Sequence, residues 1–138
     1  MITLILGRKG SGKTKRLIDM CNAATAESKG SVVFIEKDSS LTYDISRQAR
    51  LAVAEDYQIS GYDAFYGFIA GMCASNYDIT DIFVDSTIKI GGDNREELAT
   101  FIERLGALSK KADTNVVLSV SADKEDIPER IAEFAVEI

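Results

Sequence analysis

Gly7-Arg8-Lys9-Gly10-Ser11-Gly12-Lys13-Thr14 is the stretch on which the reading of this chain turns. It has the spacing G-x-x-x-x-G-K-[ST] of a phosphate-binding loop. Ahead of it runs Ile2-Thr3-Leu4-Ile5-Leu6, short, apolar and β-branched, the pattern of a buried strand. Behind it Leu17, Met20, Cys21 and Ala24 recur at helical spacing on a segment free of Gly and Pro. A strand, a glycine loop and a helix in that order turn the spacing into a mechanism. The glycines let the backbone wrap and point its N–H groups inward as a nest for phosphate oxygens. The helix start adds unsatisfied N–H groups and the positive end of its dipole. Gly7, Arg8, Lys9, Gly10, Ser11 and Gly12 would then line the phosphates. Lys13 would reach the β- and γ-phosphates, and Thr14 would set its hydroxyl on Mg²⁺. The plainer alternative is a glycine-rich turn that happens to precede a helix; the four fixed residue types and the correct flanks weigh against it.

The 138 residues suffice for one domain with a real core and are too few for two. A content of 46% hydrophobic and 28% charged residues is ordinary for a soluble globular protein. No apolar run approaches the roughly 18 residues of a spanning helix, so membrane insertion is not expected. The chain enters a strand at once, without a basic n-region and apolar h-region, so no secretory signal is read. Cys21 and Cys73 fall on apolar helical faces rather than in a metal-binding spacing. They are expected to be buried thiols, which suits a reducing cytoplasm. The absence of histidine removes the commonest zinc ligand and the commonest general base. A net charge of −6 argues against broad nonspecific nucleic-acid binding.

Along the chain, Ser31-Val32-Val33-Phe34-Ile35 reads as a second buried strand ending in Glu36-Lys37-Asp38. Residues 41–49 are expected to hold a short helix with Leu41, Ile45 and Ala49 inward, and residues 51–54 a short third strand. Ser60 followed by Asp63 is a capping-box-like start for a helix burying Phe65, Phe68, Ile69, Met72 and Cys73. That stripe reads as core rather than as a cofactor site. Asp81-Ile82-Phe83-Val84-Asp85 is a strand ending in a carboxylate. Downstream of a phosphate loop, Asp85 is the residue expected to orient Mg²⁺; the plainer reading is a strand-end Asp that caps the next turn. Gly91-Gly92 marks a flexible turn. Asp93 with Glu96 is an expected N-cap pair for a helix with Leu98, Phe101, Ile102, Leu105 and Leu108 inward. Residues 115–120 form another strand, turning polar at Ser119 and Ser121. Pro128 fits the first turn of a last short helix, and residues 134–138 a terminal edge strand. This alternation predicts a mostly parallel sheet covered on both faces, with ligands beyond the carboxyl ends of the strands. Gly7, Glu36, Asp85 and Ser121 are thereby predicted to share one rim.

With those residues placed, the chain resembles the core of RecA-like P-loop ATPases over roughly residues 2–122. The likeness rests on residues 7–14, on Phe34-Ile35-Glu36-Lys37-Asp38 and on Ile82-Phe83-Val84-Asp85-Ser86. It also resembles small bacterial P-loop proteins given twitching-motility (PilT-like) labels. The resemblance implies a three-layer α/β/α P-loop NTPase fold, with about five strands plus the terminal edge strand. It further implies an ATP/ADP site with Mg²⁺ on Thr14 and Asp85, and a carboxylate, Glu36 or Asp38, that activates the attacking water. Ser121, with Ser119 as the alternative, falls where such proteins often carry a Gln or Asn phosphate sensor. The chain departs from that pattern at this position and at Ser86, where some relatives carry Glu. The segment after Asp85, which contacts DNA in recombinases, carries only Lys89 and Arg95. The chain also lacks the histidine-containing motifs of retraction motors.

Three functions are consistent with this reading. The first is a slow Mg²⁺-dependent ATPase activated by a protein partner or by self-assembly into a homo-oligomer. Arg8, Arg95, Arg104, Lys110 and Arg130 are its candidate stimulating cations. The second is a small-molecule kinase, against which stands the lack of an arginine-rich lid. The third is a nucleotide-gated interaction module without turnover. ATP is favoured over GTP because no N-K-x-D motif is present, and nucleic acid is not an expected partner.

Overall fold

The computed structural model describes residues 1–41 and 44–137. Six strands form one sheet in the order β3-β2-β4-β5-β1-β6. In chain order they are β1 (Ile2–Gly7), β2 (Ser31–Glu36), β3 (Ala49–Val53), β4 (Ile79–Val84), β5 (Asn115–Ser121) and β6 (Ala135–Glu137). Every neighbouring pair is parallel. The helices are α1 (Lys13–Glu27), α2 (Tyr62–Ser75), α3 (Thr87–Gly91), α4 (Arg95–Ala112) and α5 (Glu129–Ala132). The result is the three-layer α/β/α architecture expected from the alternation of strands and helices. Five expected strands and the edge strand are all present, β6 pairing with β1; Ile138 lies outside the described residues.

Alternation along each strand builds two cores. Val32 and Phe34 face one way, with Ile5, Phe83 and Val117, onto Leu17 and Cys21 of α1. Val33 and Ile35 face the other way, with Leu4, Leu6, Ile82 and Val84, onto α2 and α4. Strands buried on both faces read as continuous apolar runs, which is why the inner strands β1, β2, β4 and β5 were visible in the sequence. The two helices of the second face lock through Phe65 and Phe101, whose rings stack 4.9 Å apart; such a pair adds about 0.5–1.5 kcal/mol beyond its burial. Cys21 and Cys73 are buried and free. Among the described residues, no helix is long and apolar enough to cross a membrane.

Several local expectations are corrected. Residues 44–48 are turn, bend and irregular backbone, and Leu41 lies in a turn, so no helix forms over the described part of 41–49. Leu41 and Ile45 do turn inward, packing on the α1 face. The segment satisfies its backbone with side chains instead of i→i+4 bonds. Glu36 accepts the Leu41 N–H, Asn22 accepts the Ser46 N–H, and Ser46 Oγ accepts the Gln48 N–H, the competition that makes such polar residues poor helix formers. The α2 N-cap is Gly61 with φ 87°, not Ser60, and no side chain caps it; Asp63 instead meets Arg104 at 3.3 Å. At α4 the cap is Asn94 rather than Asp93, its Oδ1 accepting from Glu96 N (3.1 Å) and Glu97 N (3.0 Å). The stretch expected to be a flexible turn around Gly91 is the last turn of α3. A Cβ on Gly91 would overlap the Tyr62 ring, and Tyr62 Oη donates to the Gly92 carbonyl at 2.5 Å.

Candidate functional site

Parallel pairing brings all strand ends with chemical potential to one edge of the sheet. Gly7, the last residue of β1, lies in register with Ser121 on β5. Glu36 ends β2, and Asp85 follows β4 directly, its N–H donating to the Ile35 carbonyl of β2 at 2.9 Å. The four residues therefore share the rim that the topology required.

The glycine-rich loop folds on itself at this rim. Gly7 lies close under the loop: a Cβ there would overlap Ser11 Oγ, so the Ser11 hydroxyl would have to turn away. Gly12 caps α1 in the left-handed region, φ 96°, where a side chain would be strained. The Ser11 N–H donates to the Arg8 carbonyl at 3.0 Å. That same carbonyl accepts the Lys13 ammonium at 3.0 Å. Lys13 is 7% exposed; burial pulls its pKa below the ordinary lysine value, with Asp85 opposing. Ser11 Oγ is buried without a hydrogen-bond partner among the described residues. Arg8 swings outward to Asp123, both contacts at 3.3 Å, while Lys9 is exposed.

Asp85 is the most connected side chain at the rim. Thr14 Oγ1 donates to its Oδ1 at 3.1 Å and Ser119 Oγ to the same oxygen at 2.8 Å. Ser86 Oγ donates to Oδ2 at 3.2 Å. Ser119 Oγ in turn accepts the Ser86 N–H at 3.0 Å, so one hydroxyl ties the carboxylate to the turn that follows it. Thr14 and Asp85, far apart in sequence, are thus neighbours. Ser119 joins them, whereas Ser121 lies exposed at the strand end. The signal for Ser119 was present: it is the polar residue inside the run 116–120, and a buried hydroxyl in a strand must find a partner.

The two carboxylates left open by the sequence have opposite surroundings. Glu36 is 2% exposed. Burial pushes its carboxyl up to about 7; the Leu41 N–H opposes this, and Asp38, Asp85 and Asp44 reinforce it. Asp38 is exposed and accepts the Ser40 N–H at 3.1 Å. Hydrogen bonding to Ser40 holds its carboxyl below the ordinary value. Glu36 is therefore a carboxylate that can take up a proton near neutral pH, and Asp38 is not. Of the candidate stimulating cations, Arg104 lies over the Tyr66 ring at 3.9 Å, and Arg130 bonds Glu96, Glu103 and Thr100.

No protein-family model matches the chain, and no curated protein is similar to it in sequence.

Proposed function

We propose that this protein binds Mg-ATP on residues 7–14 and hydrolyses it slowly, with a protein partner or a second copy of itself raising the rate. The observation that carries the reading is the 3.1 Å hydrogen bond from Thr14 Oγ1 to Asp85 Oδ1. A loop hydroxyl and a strand-end carboxylate meet at the mouth of a glycine-rich loop, where a phosphate-bound cation needs hard oxygen ligands. Mg²⁺ keeps most of its shell as water and phosphate oxygen and takes one or two protein oxygens, so this donor pair fits it. Thr14 and Asp85 would hold the ion, which would supply positive charge to neutralise the phosphate oxygens.

The chain's own residues supply the rest. The loop N–H groups and the α1 N-terminus receive the phosphates. Lys13 exchanges the Arg8 carbonyl for β- and γ-phosphate oxygens. Ser119 keeps Asp85 oriented. In hydrolysis, water oxygen bonds to the γ-phosphorus and its proton passes to Glu36. The bond between the γ-phosphorus and the bridging oxygen breaks, leaving ADP and phosphate. A base poised near the working pH is the efficient one, and Glu36 meets that condition where Asp38 does not. Arg8 is tied to Asp123 and Arg130 to Glu96 and Glu103, which supports a stimulating cation supplied from outside. Two buried free thiols suit a cytoplasmic location.

Phosphate release with Mg-ATP tests the hydrolytic part. Wild type should turn over slowly, and Glu36→Gln should lower the rate by about 100-fold while Asp38→Asn leaves it within about twofold. A wild type that releases no phosphate at any protein concentration, or a Glu36→Gln variant as fast as wild type, would overturn it.

A further inference from the structure

We propose that Asn22, on α1, is a positioning residue for the Glu36 carboxylate, acting through the main chain that lies between them. Three hydrogen bonds form an unbroken relay. Asn22 Nδ2 donates to the Asp44 carbonyl at 3.1 Å. The Asp44 N–H donates to the Leu41 carbonyl at 3.0 Å. The Leu41 N–H donates to both Glu36 oxygens, at 3.2 and 3.4 Å. Asn22 is gripped at its other end as well, its Oδ1 accepting the Ser46 N–H at 2.9 Å. With a carbonyl facing its nitrogen and an N–H facing its oxygen, the amide has one orientation that satisfies both partners.

The need for such a device follows from where Glu36 sits. It is almost wholly buried, and the carboxylates of Asp38, Asp85 and Asp44 repel its charge. Among the described residues the Leu41 N–H is the donor that faces it, and it bridges both oxygens. A base works best when a third group holds its orientation, and here that group is a main-chain N–H in a segment whose described residues form no helix or strand. A main-chain donor is fixed only as well as its segment. Leu41 and Ile45 supply an apolar anchor on the α1 face, and Asn22 supplies the polar one. Because Asn22 stands on the helix that begins with Lys13 and Thr14, the relay ties the base to the element that carries the phosphate-binding residues. The kinetic part of this inference rests on the nucleotide reading; the positional part does not.

Two measurements on the full chain separate them. In nucleotide-free protein, the Leu41 amide is followed by NMR in wild type, Asn22→Ala and Glu36→Gln. Asn22→Ala should shift its resonance and speed its hydrogen exchange by about tenfold, the weight of one hydrogen bond, whereas Glu36→Gln, whose amide oxygen still accepts the Leu41 N–H, should shift the resonance and leave the exchange within about twofold. With Mg-ATP, Asn22→Ala should lower kcat by about tenfold and leave KM within about twofold. In a Glu36→Gln background the same change should do nothing further, since it acts through Glu36. Asn22→Asp keeps the acceptor for Ser46 and loses the donor to Asp44, so it must reproduce the loss if Asn22→Ala folds poorly. A Leu41 amide indifferent to both Asn22 variants would overturn the inference, as would an equal loss of kcat in the Glu36→Gln background. A wild type that binds no nucleotide but shows the Leu41 response would refute the nucleotide reading alone and uphold the relay.

Discussion

The chain leaves the rim twice after an acidic strand end, once past Glu36 and once past Asp85, and the two exits are built differently. Past Asp85 the backbone enters α3 at once and is clamped by packing. Thr87 and Ile90 are buried, the Tyr62 ring lies against Gly91, and the Gly61 N–H donates to the Ile90 carbonyl at 3.0 Å. Past Glu36 the described backbone has neither helix nor strand up to Ala49. It is held by side-chain hydrogen bonds from Glu36, Asp38, Asn22 and Ser46. Packing fixes a group regardless of pH, whereas polar ties answer to the charge of their members. Asp85 is thus expected on a rigid mount and Glu36, the base of the proposed reaction, on an adjustable one.

The comparison breaks first at Tyr62. It is 6% exposed, with its ring 5.0 Å from Phe101, so Tyr62→Ala removes a buried aromatic and the Gly92 tie together. Urea denaturation should show a loss of about 3–4 kcal/mol; a loss below about 1 kcal/mol would mean that the second exit is not clamped. The next effect belongs to Glu36 and is one of pH. Its carboxyl is raised from 4.5 to about 7 in the folded chain, so between those values the folded state holds a proton that the unfolded state has lost. This stabilisation is complete below about 4.5 and is lost as pH rises through about 7. Stability should therefore fall by roughly 1–3 kcal/mol from pH 5 to pH 8, and Glu36→Gln should flatten that part of the profile. An unchanged profile in Glu36→Gln would remove the distinction between the exits. The smallest effect is at Asp38, which is exposed and keeps the same Ser40 N–H contact as an amide; Asp38→Asn should leave the urea midpoint where it was.

What was legible in the sequence follows the range of the forces involved. The strand before Gly7, the helix after Lys13 and the carboxylate ends of β2 and β4 are written in short runs, and parallel pairing did the rest. Leu41 and Ile45 were read as inward, and they are. Their helix was not to be had because Asn22, on α1, takes the backbone groups that a helix would use. No window of local sequence contains that competition. The caps failed more narrowly, Gly61 for Ser60 and Asn94 for Asp93, each one position along. Ser121 was favoured for its place at the strand end, but Ser119, two residues earlier on the same face, is the one level with Asp85.

The central claim is that residues 7–14 bind nucleotide phosphates, and the direct measurement is calorimetric titration of Mg-ATP into wild type and Lys13→Ala. Wild type should give a saturable heat, and Lys13→Ala should bind at least about tenfold more weakly, because a charge-assisted contact to phosphate is lost. No heat with wild type, or superimposable curves for the two proteins, would contradict it.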